Sequence, residues 1–182
     1  FRSEKNGERT ITYAELYESV AALARSMREM GISRGDRIAG FMPNIPETII
    51  AMLASASIGA LWSSCSPDFG IKGVLDRFGQ IEPRIIFTAD AYWYNGNPFN
   101  SIERVRDILR DLPSVEKVIV IPYVEEQPDI SSITTAVLYD DFSSDEAGLE
   151  VDFEQLPFEH PLYIMYSSGT TGLPKCMVQS AG

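Results

Sequence analysis

Near its C-terminal end the sequence reads Pro161-Leu162-Tyr163-Ile164-Met165-Tyr166-Ser167-Ser168-Gly169-Thr170-Thr171-Gly172-Leu173-Pro174-Lys175. An apolar run passes directly into hydroxyl residues and glycines, and a lysine closes the stretch. These residue types in this order can cradle phosphate. Gly169 and Gly172 let the backbone turn several N–H groups toward one point and let a bulky anion come close. Ser167, Ser168, Thr170 and Thr171 add hydroxyl donors with little bulk. Lys175 adds a full positive charge for phosphate oxygens. The stretch is not the common P-loop, which needs Gly-x-x-x-x-Gly-Lys followed by Ser or Thr. Here Pro174 precedes the lysine and Cys176 follows it. Pro174 disfavours helix at Leu173, so Ser167 to Pro174 is expected to be an irregular, mobile loop rather than the start of a helix. A plain surface loop rich in Ser, Thr and Gly is the competing reading.

Other chemistries find less support. His160 is the single histidine and stands just before Pro161. It has no partner for a zinc site or a Ser-His-Asp arrangement, and a structural role is expected. The dinucleotide fingerprint Gly-x-Gly-x-x-Gly after a strand is missing. Cys65 and Cys176, the two cysteines, make no disulfide framework and read as small, reduced packing residues.

Around these residues the elements alternate. Phe1 to Ile11 reads as a hairpin turning at Asn6-Gly7, where both positions accept positive φ. Thr12 and Glu15 form a capping-box pattern. Leu16, Val20, Leu23, Met27 and Met30 then put an apolar stripe along a helix that ends at Gly31. Strands are predicted over 37–42, 60–63, 84–88 and 117–121. Helices are predicted over 47–58 behind Pro46, after Ser66-Pro67-Asp68, and from a Ser101 cap through Leu112. Ser63-Ser64-Cys65 is expected to close a strand and open a loop. The strands are apolar throughout, which means burial on both faces of a mostly parallel sheet flanked by helices, an α/β fold. Four stretches follow: a hairpin over 1–11, alternating helices and strands over 12–121, an acidic connection over 122–158 with a short strand near 135–139, and a strand with the phosphate loop over 159–182. Ligands in such sheets bind at the C-terminal ends of the strands.

The 182 residues carry a net charge of −11, which disfavours nucleic acid as a partner. Eleven of the 26 acidic residues fall between Val118 and Pro174, with none of the 15 basic ones. The excess therefore sits in one segment, expected to be a solvated connection. No apolar run is long enough to span a bilayer and no signal peptide is visible. The chain is expected to be a piece of a cytoplasmic protein.

Tyr166 to Lys175 resembles the signature loop of the adenylate-forming superfamily, which includes acyl-CoA synthetases. Trp62-Ser63-Ser64-Cys65-Ser66-Pro67-Asp68-Phe69-Gly70 and Lys175-Cys176-Met177-Val178-Gln179 are similar to acyl-CoA synthetases that use acetoacetate, relatives of those that use acetate. The resemblance covers the whole chain and implies the N-terminal part of a large catalytic domain. It implies ATP, Mg2+ and coenzyme A as the reaction's small molecules and acetoacetate as the acid, with acetate or another short acid as the alternative. A carboxylate would attack the α-phosphorus of ATP, releasing pyrophosphate. The CoA thiol would then attack the acyl carbonyl, releasing AMP. Ser167, Ser168, Gly169, Thr170, Thr171, Gly172 and Lys175 would grip the β- and γ-phosphates. Lys175 and Thr170 would stabilise charge there without acting as nucleophiles.

By the same resemblance Ser64 and Cys65 would line the channel of the CoA arm, although small residues at a strand end explain them equally well. The stretch Asp90 to Asn97 matches a loop that carries phosphate-binding arginines in acetyl-CoA synthetases, but it has none here. Tyr92, Trp93 and Tyr94 would either stack on a base or pack on the sheet. Most of the acyl pocket and the swivelling C-terminal domain would lie beyond Gly182, so the segment alone is expected to be inactive. An open parallel sheet cut partway would also tend to self-associate. Two other classes stay open: another phosphate-using enzyme, opposed by the missing Walker pattern, and a non-catalytic nucleotide-binding or interaction module.

Overall fold

The computed structural model describes all residues except 6, 147, 168–171 and 181. Helix α1 covers Tyr13–Glu29. Its start is the reciprocal cap that the sequence predicts. The Glu15 N–H donates to the Thr12 hydroxyl at 3.2 Å, and the Thr12 N–H donates to the Glu15 carboxylate at 2.7 Å. The backbone bond from Thr12, then its hydroxyl, hold the Glu15 carboxyl below the usual carboxylate range. Val20, Leu23 and Met27 are buried along its inner face. Gly31, at φ 85°, turns the chain out of the helix.

The remaining elements follow in order. Strand β1 is Arg37–Phe41, helix α2 is Pro46–Ser57, strand β2 is Leu61–Cys65 and helix α3 is Ile71–Ile81. Then come β3 (Ile85–Ala89), β4 (Ala91–Tyr94), β5 (Asn97–Asn100) and α4 (Ile102–Leu109). Last are β6 (Lys117–Ile121), β7 (Ala136–Leu138), the short α5 (Tyr139–Phe142), β8 (Pro161–Ser167) and β9 (Lys175–Ser180). Seven strands form one sheet in the order β7-β6-β3-β1-β2-β8-β9. Every neighbouring pair is parallel except β8 with β9, which is antiparallel. The expected mostly parallel α/β sheet is therefore present.

Both faces are covered, which explains the unbroken apolar strands. On one face Leu23 and Met27 of α1 and Ile50 and Ala54 of α2 meet Ile38, Trp62 and Phe87. On the other, Val74 and Phe78 of α3 and Val105 and Ile108 of α4 meet Ala39, Phe41, Ile86 and Val118.

Five expectations need correction. First, β2 runs on through Ser64 and Cys65 instead of ending before them. Phe41 pairs with Cys65, and the parallel ladder carries the strand further than the apolar composition suggests. Second, Ser66-Pro67-Asp68 forms a tight turn in which the Asp68 N–H donates to the Ser66 hydroxyl at 3.3 Å. The helix begins only after Gly70. Third, 91–100 is a two-stranded ribbon, not a loop. Asn95 (φ 50°) and Gly96 (φ 76°) make the positive-φ turn that Asn-Gly favours. Fourth, the hydroxyl of Ser101 makes no cap, and Asn100 Oδ1 accepts the Glu103 N–H at 3.0 Å instead. Fifth, the N-terminal hairpin is present but shorter than 1–11: Arg2 bridges Glu8 and Phe1 exchanges backbone bonds with Arg9, while its turn residue Asn6 lies outside the described residues. Neither α5 nor β9 is anticipated by the sequence reading.

Gly40 has a packing reason to be glycine. A Cβ there would lie 2.6 Å from Trp62 Cζ2 and 2.7 Å from Cη2, and Trp62 is buried against Phe87. Gly40→Ala must push that indole out of its place. The expected outcome is a loss of about 1–3 kcal/mol, the usual cost of overpacking, read as a lower midpoint in urea unfolding. An unchanged midpoint would mean that the indole is free to move.

Candidate functional site

Strand β8 enters the sheet beside β2, with Trp62 opposite Tyr163 and Ser63 opposite Ile164. The buried Ser63 hydroxyl donates to the Ile164 carbonyl at 2.9 Å and reinforces this short pairing. The last pair of the β8–β9 hairpin is Ser167 with Lys175. The expected strand before the loop is therefore present, and the segment after it enters a strand, not a helix. Of the predicted phosphate-binding residues, Ser168, Gly169, Thr170 and Thr171 lie outside the described residues. Ser167, Gly172 and Lys175 are described and frame the hairpin's end. Gly172 has φ 106°, a conformation that favours glycine. Lys175 is exposed, and among the described residues no carboxylate pairs with it. Its charge is thus available to a ligand.

The hairpin's neck leans on α3. The Tyr166 hydroxyl donates to the Arg77 carbonyl at 3.1 Å. The Arg77 guanidinium lies 4.3 Å above the Phe69 ring and 5.7 Å above that of Tyr166. Burial pushes the Tyr166 phenol up to about 12, with the Ser63 hydrogen bond opposing the shift. Tyr166 is a neutral hydrogen-bonding group at ordinary pH, not a base.

Two cavities open at the C-terminal ends of the central strands, where such sheets take ligands. One, of about 390 Å³, is walled by Trp62, Ser64, Phe69, Arg77 and Tyr166. The other, of about 400 Å³, is walled by Asn44, Ser64, Cys65, Asp68 and Trp93. Ser64 is exposed and borders both, whereas Cys65 is buried and borders the second alone. Burial raises the Cys65 thiol from an ordinary 9.0 to about 12, with Arg77 opposing. Cys65 is no thiolate nucleophile near neutrality.

The aromatic hairpin divides its work. Tyr92 is buried, stacks on Phe99 at 5.5 Å and sits under the Arg104 guanidinium, so it packs. Tyr94 is 59% exposed. Trp93 borders the second cavity, and its Nε1 is buried with no hydrogen-bond partner among the described residues.

What holds this hairpin is Asp90, to which the sequence reading gave no role. Its buried carboxylate accepts N–H groups from Tyr123 at 2.7 Å, Val124 at 3.0 Å and Glu125 at 2.9 Å. Its backbone carbonyl accepts the N–H of Ser101 at 2.9 Å. One acidic residue at the end of an otherwise apolar strand was the available signal, since buried carboxylates require partners. His160 is structural as expected: it is buried, and its Nε2 lies 2.9 Å from the Gly59 carbonyl. Among the described residues no group of three or more His, Cys, Asp or Glu stands ready for a metal ion, and no helix is long and apolar enough to cross a membrane.

Comparison with known proteins bears on this geometry. The model of a family described as AMP-binding enzyme matches residues 2–182. The chain belongs to the AMP-binding enzyme family. An acetoacetyl-CoA synthetase from Macaca fascicularis is 52% identical over 177 residues, covering 94% of this chain and 26% of that protein. An acetoacetyl-coenzyme A synthetase from Rhizobium meliloti is 46% identical over 183 residues, covering 100% of the chain and 28% of that protein. The structure of acetoacetyl-CoA synthetase from Streptomyces lividans superposes with a TM-score of 0.86 at 42% identity, over 94% of this chain and 26% of that one. The chain thus spans about a quarter of the length of the relatives it matches.

The two thiols of this AMP-binding segment should separate cleanly. Cys176 is exposed and Cys65 is buried. A thiol reagent at neutral pH is expected to modify Cys176 first and Cys65 only on unfolding, read by peptide mass spectrometry. The raised Cys65 value also has a sign. The folded state holds this proton more tightly, so its contribution to stability is complete below pH 9.0 and is lost as pH climbs toward about 12. Equal labelling of both cysteines in the folded chain would contradict the burial.

Proposed function

We propose that this chain is the N-terminal part of a synthetase that activates acetoacetate with ATP and transfers the acyl group to coenzyme A. The observation that carries the reading is the phosphate-type loop on the β8–β9 hairpin, at the ligand end of a parallel sheet, in a chain 52% identical to an acetoacetyl-CoA synthetase. In the first step an acetoacetate carboxylate oxygen bonds to the α-phosphorus, and the bond from that phosphorus to pyrophosphate breaks. In the second the CoA thiol, losing its proton, bonds to the acyl carbon and AMP leaves. Lys175 would offset charge growing on the departing pyrophosphate. Ser167 and Gly172, with Ser168, Gly169, Thr170 and Thr171, would surround the β- and γ-phosphates. Thr170 would add a hydrogen bond at the same point.

Magnesium would be held chiefly through phosphate oxygens, since such ions need few protein ligands. The cavity beside Ser64, Cys65 and Trp93 fits the arm of coenzyme A. Trp93 borders it, and its indole N–H, without a partner among the described residues, would be one donor for an amide or phosphate oxygen once uncovered. With no arginine between Asp90 and Asn97, the CoA phosphate would be held elsewhere. A cytoplasmic setting agrees with two unpaired cysteines. Alone, this segment would be inactive, because most of the acid pocket would belong to the remaining three-quarters.

In the full-length protein, Lys175→Ala is expected to slow acetoacetate-dependent exchange of pyrophosphate into ATP about a hundredfold, a typical cost of losing one positioned stabilising group. Equal rates would remove Lys175 from the reaction. Faster exchange with acetate than with acetoacetate would move the acid assignment.

The isolated segment would also self-associate. Strand β9 forms one edge of the sheet, every residue in it is exposed, and Val178 is 56% accessible. An unpaired edge of this kind invites another strand. Sedimentation velocity in moderate salt should find species larger than a monomer, reduced by Val178→Lys. A clean monomer would overturn this.

A further inference from the structure

We infer that Gln80 is a positioning residue for Lys175, acting as a clamp between α3 and the returning leg of the phosphate hairpin; this rests on the phosphate-loop reading above. Gln80 Nε2 donates to the Pro174 carbonyl at 3.0 Å. The Cys176 thiol donates to Gln80 Oε1 at 3.5 Å. These two partners are the residues on either side of Lys175. One side chain therefore holds the backbone immediately before the lysine and the side chain of the residue immediately after it. The same Nε2 also bonds to the Asp76 carbonyl, which anchors the amide to its own helix.

The geometry around it makes the clamp two-sided. Arg77, three residues earlier and so a neighbour on the helix surface, accepts the Tyr166 hydroxyl through its carbonyl. Tyr166 stands opposite Cys176 in the hairpin register. Helix α3 thus holds the outgoing leg through residue 77 and the returning leg through residue 80. The returning leg needs this hold more. It belongs to an edge strand with all six residues exposed, so side-chain packing does little to restrain it. By contrast, Ile164 on the outgoing strand is buried and tied to Ser63.

The restraint matters because a catalytic charge is useful only in place. A misplacement of about 1 Å can cost about a hundredfold in rate. Gln80 itself touches no reacting atom, since it bonds to the backbone of Pro174 and the thiol of Cys176. Its effect must pass through Lys175. It should therefore appear in the step that expels pyrophosphate and be absent from the step that consumes the acyl-adenylate.

The test uses the full-length synthetase with Gln80→Leu, which keeps the side-chain bulk and removes both hydrogen bonds. Gln80→Glu is the second variant; it keeps the shape but cannot donate to the Pro174 carbonyl. Two rates are measured: pyrophosphate exchange into ATP, and thioester formation from chemically prepared acyl-adenylate and CoA. Gln80→Leu is expected to slow exchange about tenfold, leave thioester formation and the thermal midpoint near wild type, and speed hydrogen exchange at the Lys175 and Cys176 amides. Gln80→Glu should do the same. In a Lys175→Ala background Gln80→Leu should cause no further loss, because the two act as one unit. Unchanged exchange, equal losses in both steps, or a further tenfold loss without Lys175 would each overturn the clamp. Lys175→Ala alone tests the phosphate loop, so failure of that reading is told apart from failure of the clamp.

Discussion

The site depends on one short pairing. Strand β8 joins the sheet through two matched residues, Trp62 with Tyr163 and Ser63 with Ile164. The Ser63 hydroxyl adds a side-chain bond to the Ile164 carbonyl, 101 residues away in sequence. Everything beyond that point hangs on it: the hairpin, the loop's frame and Lys175. A chain brought back across so long a loop carries a closure cost that grows only slowly with length. Burial of Ile164 and the edge of Trp62 offsets it locally. The pairing is parallel, so the C-terminal end of β8 lies at the same end of the sheet as Ser64 and Cys65. That coincidence, set by strand direction, is what makes a common ligand end available.

Rigidity is graded around this point. The central strands are buried on both faces, and Asp90 ties the end of β3 to the turn after β6 through three backbone N–H groups. A buried carboxylate is tolerable because those amides replace its water. Arg84 does similar work at the opposite end of the strands, bonding to Asp36 at 2.7 Å and to Glu116 at 2.7 Å. Arg84 and Asp36 are partly shielded, so that pair is more than a surface ion pair, whereas the exposure of Glu116 weakens its share. Among the described residues, the hairpin at the far edge is held by its short pairing with β2, by Ser63 and by its contacts with α3. The sheet is therefore most firmly held in its central strands, which set its direction.

Most of the fold was legible because periodicity and capping agree with the final packing. Thr12 and Glu15 cap α1 as their spacing demands, and the apolar runs at 37–41, 85–89 and 117–121 are strands buried on both faces. The failures share a cause: tertiary pairing overrode local signals. Ser64 and Cys65 look like loop residues, but the ladder with β1 extends through them. Ser101 and Asn100 are equally good caps by type, but the Ser101 backbone is already helical and Asn100 supplies the oxygen. Asn95-Gly96 was a readable hairpin turn, obscured by the aromatic run before it. Strand β9 carries Lys175, Gln179 and Ser180 among apolar residues and owes its strand form to β8. At the site, residue types suggested Lys175 and the hydroxyls, but Asp90 and Gln80 bond to partners distant in sequence, which no local pattern reports.

The two cavities give the proposed reaction a physical economy. Both border Ser64, one on the side of Arg77 and Tyr166 beneath the phosphate hairpin, the other on the side of Cys65 and Trp93. A two-step transfer needs the acyl phosphate formed in one place to be reached by a thiol from another without diffusing away. A small side chain at the end of β2 is the thinnest wall a folded chain can offer between two such spaces. The neutral groups flanking it suit that role. Burial raises the Cys65 thiol above its ordinary 9.0, so it would not compete with the CoA thiol as a nucleophile in the proposed reaction. The Tyr166 phenol, neutral near neutrality even at its ordinary 10.0, is raised further by burial, so it would place no negative charge beside departing phosphates. With both groups neutral near neutrality, Lys175 is the one described charge on the hairpin.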